Sequence, residues 1–155
     1  MRVSDTFPVR DGLFAIVEGG TPLLITGRCN DCARLHFPQQ STCPYCAATT
    51  VTQELLDGEA SLWTWTSVLR EPPGYRGPVP FGFGVVELEA GIRIVTRLTE
   101  SDPRQLTAGM PMRLVVDDLH TDDEGRVVQT YAFAPVTDMG VPPDTDPPGA
   151  DGEAG

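Results

Sequence analysis

The chain contains no lysine: all of its 11 basic residues are arginine, set against 22 acidic ones, for a formal charge of −11 and an isoelectric point near 4.4. Without lysine there is no amine for Schiff-base chemistry and none to contact the phosphates of a P-loop. The acidity also disfavours a broad phosphate-binding surface. Long apolar runs are missing as well: the longest is Leu13 to Val17, far short of a membrane span. Residues Met1 to Pro8 hold no apolar stretch of the secretory-signal kind, so a cytoplasmic protein without a membrane anchor is expected. Histidine is scarce, His36 and His120 being the only two. No serine stands in a pattern with histidine and carboxylate, and no glycine-rich phosphate loop precedes a helix. Catalysis by this chain alone is not expected.

Proline and glycine are plentiful, 15 and 16 in 155 residues, which favours short strands joined by turns over long helices. Composition divides the chain into an N-terminal arm (1–21), a cysteine module (22–56), a strand-rich body (57–137) and a terminal segment (138–155). In the arm, Leu13, Phe14, Ile16 and Val17 fall roughly on one helical face and Gly19-Gly20 follows as a stop, so a short helix is expected there. In the body, strands are expected near Glu59–Leu69, Phe81–Glu89, Ile92–Thr99, Met112–Asp118 and Val127–Ala134. Glu89-Ala90-Gly91 makes a tight connection between the second and third, and residues 100–109 have room for a helical turn. Five strands interrupted in that place suit a small Greek-key barrel of the OB type. The expected architecture is therefore mostly β: an N-terminal helix and a four-cysteine zinc ribbon followed by a five-stranded OB-fold barrel. The acid is unevenly spread. Asp117 to Glu124 and Asp138 to Gly155 carry five carboxylates each and no arginine, leaving 12 acids against 11 arginines elsewhere. The terminal segment has too few apolar residues to bury and is expected to be disordered.

All four cysteines lie in a C-x2-C-x10-C-x2-C array of Cys29, Cys32, Cys43 and Cys46. Two such knuckles on adjacent hairpins can bring four sulfurs to one point, the tetrahedral set that zinc prefers. Disulfides would need an oxidising compartment, against the absence of a signal. Cys43-Pro44-Tyr45-Cys46 alone resembles a redox motif, but that chemistry needs a strand before it and a helix beginning at its first cysteine, whereas here another knuckle and a β-prone stretch flank it. Iron in a rubredoxin-like site stays open, since thiolate ligation does not exclude it. Four thiolates close the coordination sphere, so one structural Zn2+ per chain is expected, with no position for substrate. His36 lies between the knuckles; with the thiolate set complete, it is expected to be an ordinary surface or hairpin histidine.

Gly27-Arg28-Cys29-x-x-Cys32, Phe37-Pro38, Cys43-Pro44-x-Cys46, Gly58-Glu59-Ala60 and Trp65-Thr66 stand in order, followed by Pro80-Phe81, Val86-Glu87-Leu88-Glu89-x-Gly91, Gly109-Met110-Pro111-Met112 and Phe133. Together they resemble the acyl-CoA-associated zinc-ribbon and OB-fold family, long catalogued as a domain of unknown function, over about residues 13–135. The resemblance implies a companion of thiolase-superfamily enzymes: acyltransferases, condensing enzymes or the aldolases that shorten steroid side chains. It further implies a non-catalytic subunit that docks on such a partner as a hetero-oligomer and helps form the channel for an acyl-CoA thioester. The family usually has glycine after the second cysteine of each knuckle, where this chain has Ala33 and Ala47. If those positions are left-handed, each costs about 1–2 kcal/mol.

Other residues are candidates for binding. Trp63 and Trp65, two apart in one strand, are expected on one face, either as core, as a partner interface or as a stacking platform. The proline-stiffened loop from Arg70 to Pro80 presents Arg70, Tyr75 and Arg76 for a CoA phosphate or an interface. The alternatives to an accessory subunit are a stand-alone acyl-CoA-binding module and a single-stranded nucleic-acid-binding OB protein. The latter would need Arg93, Arg97 and Arg113 on one face, and the absence of a clustered arginine excess argues against nucleic acid.

Overall fold

In a computed structural model, residues 5–136 are described; the expected disordered acidic segment at 138–155 lies outside them. The described residues form two sheets. The first is built on β3 (Pro22–Cys29), which pairs antiparallel with β2 (Phe14–Ile16) and β4 (Leu35–His36) and with β5 (Val51–Leu56). The second is a barrel. Strands β6 (Glu59–Val68), β7 (Phe81–Leu88) and β8 (Arg93–Leu98) form an antiparallel meander. β10 (Val127–Pro135) then runs parallel to β8 at Phe133↔Leu98 and antiparallel to β9 (Pro111–Thr121). Glu59 to Ser61 of β6 pair back onto β9, which closes five strands on themselves in the OB order. The short β1 (Thr6–Pro8) lies parallel along the start of β10. A 3-10 turn at Pro103–Gln105 fills the expected place between the third and fourth barrel strands, its first turn capped by the Asp102 carboxylate.

The N-terminal helix is corrected. Residues 14–16 are β2, and Gly19-Gly20 is the turn of a hairpin rather than a helix stop. Both glycines have φ near +85°, at 90° and 83°, and the Val17 and Thr21 backbones bond across the turn at 3.0 Å. The apolar set reads as strand-like alternation, with Leu13 buried and Ile16 mostly exposed. Among the described residues no helix is long and apolar enough to cross a membrane.

The core belongs to both sheets. Leu24 of β3 is fully buried among Leu62, Val86, Leu98, Met112 and Phe133 of the barrel. Phe37, just after β4, meets the Tyr131 ring edge-on at 5.4 Å. The cysteine module is thus seated on the barrel by apolar burial, and its tips are positioned by that seat.

Candidate metal centre and interaction surfaces

β3 ends at Cys29, and the two knuckles meet beyond it. The Cys29 and Cys46 sulfurs are 3.6 Å apart, those of Cys32 and Cys43 3.7 Å, and all four lie within 4.8 Å of one another. Four thiolates about 2.3 Å from one zinc ion would be about 3.8 Å apart, so the donor set fits a tetrahedral ion. Backbone N–H groups point inward as well: Cys32 N–H donates to Cys29 Sγ at 3.5 Å and Tyr45 N–H to Cys43 Sγ at 3.4 Å. The knuckles need a left-handed residue after the second cysteine of each. Ala33 and Ala47 adopt it, at φ 62° and 63°.

The crowded thiols compete for ionisation. Burial pushes the Cys43 thiol up, but N–H donors from Tyr45 and Cys46 and the thiols of Cys32 and Cys29 outweigh it and bring Cys43 to about 7. Cys46 accepts from the Ala48 backbone, which lowers it; the Cys29 thiol, burial and the other two thiols overcome that and push it up to about 12. A dication among the sulfurs removes the conflict by favouring every thiolate.

His36 is in the hairpin, as expected, but not at the surface: it is 3% exposed, and its Nε2 accepts from the Gln40 N–H at 3.3 Å. Gly27, paired with it across β3 and β4, is needed for that seat, because a Cβ there would stand 2.5 Å from Nε2. The imidazole takes its space from the missing side chain.

The tryptophans do not share a face. Leu62 pairs with Val86 and Thr64 with Val85, so Trp63 is an extra residue in a β-bulge and the alternation inverts after it. Trp65 turns inward against the core, its Nε1 donating to the Pro103 carbonyl at 3.1 Å. Trp63 stays outside, 52% exposed. Beside it on the outer face of the sheet are Phe83 and Val95, also exposed, the first on β7 and the second on β8. Neither was singled out from sequence, although both stand at outward positions of the alternation. The face is framed by ion pairs: Arg93 to Glu87 at 2.9 Å and Arg97 to Asp117 at 3.2 Å.

Of the loop candidates, Tyr75 is partly buried against Phe81, its ring centroid 4.9 Å away. Its hydroxyl donates to the Pro78 carbonyl at 2.9 Å and accepts from Arg97 at 2.6 Å, which pins the loop to the barrel. Arg76 is exposed and 3.8 Å from Asp123, and Arg70 is exposed. The structure thus brings Tyr75 to Arg97 and leaves Arg70 and Arg76 exposed. Arg93 and Arg97 are both on β8, whereas Arg113 is on β9 beside a cleft of about 700 Å3 at the β6–β9 seam. That cleft is lined by Ala60, Pro111 and Val136 and by Glu59, Glu87 and Glu89, with the core residues Leu88 and Met112 behind them. Sequence patterning missed it because its walls come from three strands, β6, β7 and β9, and from residues just outside strand ends.

Comparison with known proteins adds to this geometry. The family model described as the ChsH2 rubredoxin-like zinc ribbon domain matches residues 22–52, and that described as the ChsH2 C-terminal OB-fold domain matches residues 53–117. A DUF35 domain-containing scaffold protein of Pyrococcus furiosus is 29% identical over 114 residues, covering 73% of this chain and 83% of that protein. Another, of Methanocaldococcus jannaschii, is 30% identical over 115 residues, covering 73% and 82%. A probable enoyl-CoA hydratase alpha subunit of Thermomonospora curvata is 30% identical over 115 residues, 74% of this chain but 35% of that protein. The fold is also similar to a solved structure described as an Ltp2-ChsH2(DUF35) aldolase, with a TM-score of 0.56, 27% identity, and coverage of 73% and 84%.

Proposed function

The chain belongs to the DUF35 family of ChsH2-type zinc-ribbon and OB-fold proteins, and from that premise we propose that it is a non-catalytic accessory subunit of a thiolase-like acyl-CoA enzyme. It docks on that enzyme, stabilises it and helps form the passage for the CoA thioester. The observation that carries this reading is the exposed apolar face of Trp63, Phe83 and Val95 on the barrel, of the kind that forms the centre of interfaces. The names of the relatives, scaffold proteins and an Ltp2-ChsH2(DUF35) aldolase, support it. Cys29, Cys32, Cys43 and Cys46 would hold one Zn2+ that orders the ribbon and, having no open position, takes no part in bond making.

The alternatives have less to stand on. In the stand-alone acyl-CoA reading, Tyr75 would have to leave two hydrogen bonds to meet a ligand. In the nucleic-acid reading, the two arginines beside the aromatic face would meet phosphates already neutralised by Glu87 and Asp117. Co-expression with a thiolase-like enzyme tests the proposal. A stable hetero-oligomer, with an enzyme that loses activity or stability when separated, is the expected result. Two proteins that purify apart, the enzyme fully active alone, would sink it, and tight binding of acyl-CoA by the lone chain in calorimetry would favour the stand-alone module.

A further inference from the structure

We propose that the cleft at the β6–β9 seam seats a cationic segment of a partner protein: an arginine or lysine side chain beside an apolar one. The cleft holds about 700 Å3, enough for a few side chains rather than a single methyl group. Its apolar lining comes from Ala60, Pro111 and the partly exposed Val136, since the Leu88 and Met112 side chains that border it are buried in the core, and it carries three carboxylates, Glu59, Glu87 and Glu89, against one cation, Arg113. Glu87 is already engaged by Arg93 at 2.9 Å. Among the described residues, neither Glu59 nor Glu89 has an arginine within ion-pair distance, although Arg113 stands opposite Glu59 in the strand register. The apolar lining and the two carboxylates that no arginine engages together select an occupant that offers an apolar side chain beside a positive one.

Charge decides among the possible occupants. The chain leaves the cleft at Val136, whose N–H donates to the Pro111 carbonyl at 3.0 Å. The 19 residues that follow carry five carboxylates and no arginine, so this chain's own C-terminal segment has the same sign as the rim. A second copy brings a formal charge of −11 against −11. A partner with a basic segment is the occupant that complements the site. The cleft also adjoins the exposed apolar face: Ser61 and Glu87, which line it, are paired one row before Leu62 and Val86, after which the bulged Trp63 follows. The proposal rests on the docking reading for the partner's identity and extends it by naming the chemistry that the partner must supply here.

The test uses the full chain in two arms. In the first, isotope-labelled protein is titrated in heteronuclear NMR with the peptide acetyl-Leu-Arg-Val-Arg-amide and with its charge-reversed counterpart acetyl-Leu-Glu-Val-Glu-amide. The arginine peptide is expected to shift the amides of Gly91, Arg113 and Val136 saturably, to bind at least about tenfold more tightly than the glutamate peptide, and to lose most of that advantage in the Glu59→Gln, Glu89→Gln double variant. No saturable shift at those amides, or equal binding of both peptides, overturns the proposal. In the second arm the Glu59→Arg, Glu89→Arg double variant is measured against the thiolase-like enzyme that the wild-type chain binds. A Kd raised about tenfold or more is expected, and an unchanged Kd overturns the proposal while leaving the docking reading intact. If the wild-type chain binds no such enzyme, the docking reading fails and the peptide arm alone decides the cleft.

Discussion

The guanidinium of Arg93 lies 3.5 Å from the centroid of the Trp63 ring, and the Glu87 carboxylate holds it there through Nε at 2.9 Å. An exposed indole fixed in this way presents a large apolar surface with little rotamer freedom left to lose on binding. Trp63→Ala should therefore separate stability from docking. The barrel loses a half-exposed ring and one cation–π contact, about 1 kcal/mol or less in a urea melt. Affinity for the partner enzyme should fall by about 2 kcal/mol or more, near 30-fold, if Trp63 is at the centre of the interface. Calorimetry on the purified complex checks it: an unchanged Kd would move the docking site away from this face.

Ala33 and Ala47 carry a cost that their positions do not require. Both sit at left-handed φ, 62° and 63°, where an L-residue is disfavoured by about 1–2 kcal/mol and glycine is not. Glycine returns about 0.5–1 kcal/mol of that through its freer unfolded state. Ala33→Gly and Ala47→Gly should each stabilise the ribbon by about 0.5–1 kcal/mol, and because ribbon folding and metal binding are coupled, each should tighten zinc by about 2–5-fold. Competition against a chromophoric chelator measures this. Weaker zinc binding in both variants would show that the alanine methyls make packing contacts worth more than the strain.

Arg28 and Glu54 join β3 to β5 through two bonds, Nε to Oε2 at 2.7 Å and Nη2 to Oε1 at 3.1 Å. The hydrogen bonds from Arg28, helped by its charge, hold the Glu54 carboxyl below its ordinary value against the opposing effect of burial. With side chains 41% and 36% exposed, the pair contributes no more than about 1 kcal/mol. A depressed carboxylate stabilises the fold fully above its unfolded pKa, about 4.3, and loses that contribution as pH falls through the folded value. Glu54→Gln should thus be less stable than wild type at pH 7 by up to about 1 kcal/mol, with the difference fading between about pH 5 and pH 3 and in high salt. Zinc loss in acid affects both proteins, so the difference between paired urea melts isolates Glu54. A difference that persists at pH 3 would contradict the assignment.

What is legible in this sequence follows from what is local or strictly periodic. The four cysteines announce their convergence because knuckle spacing is a local constraint, and Met112, Leu114, Ile94 and Leu98 announce inward faces because unbroken strands alternate. Trp63 and Trp65 mislead because one inserted residue inverts the alternation, and a bulge has no reliable signature in a single strand. The stretch from Leu13 to Val17 misleads because a short apolar run is compatible with either period, and the pairing of β2 onto β3 decides it. His36 is buried because Gly27 makes room for it, a relation between two strands visible only once they are paired. The acid-rimmed cleft likewise exists only after β6 meets β9.

Removing the metal should unfold the ribbon without melting the barrel, and the reason lies in where the two are joined. The stretch between Cys29 and Cys46 contains one two-residue strand, which includes the buried Leu35, and Phe37 after it packs against the barrel cluster rather than into a core of the ribbon's own. Such a segment cannot offset its conformational entropy, about 1–2 kcal/mol per residue for the backbone alone, without the four metal–sulfur bonds. The part of β3 before the knuckles is different: Leu24 is fully buried among barrel side chains, Pro22 to Leu24 pair with β2, and Leu24 to Gly27 pair with Gln53 to Leu56 of β5. Chelation, or Cys43→Ser, should therefore raise amide hydrogen exchange over about residues 28–50 by orders of magnitude while Val86, Leu98 and Phe133 stay protected. Metal analysis of the untreated protein should give about one zinc per chain. Neither zinc nor iron in freshly purified protein, or exchange rising equally through ribbon and barrel after chelation, would overturn this division of the fold.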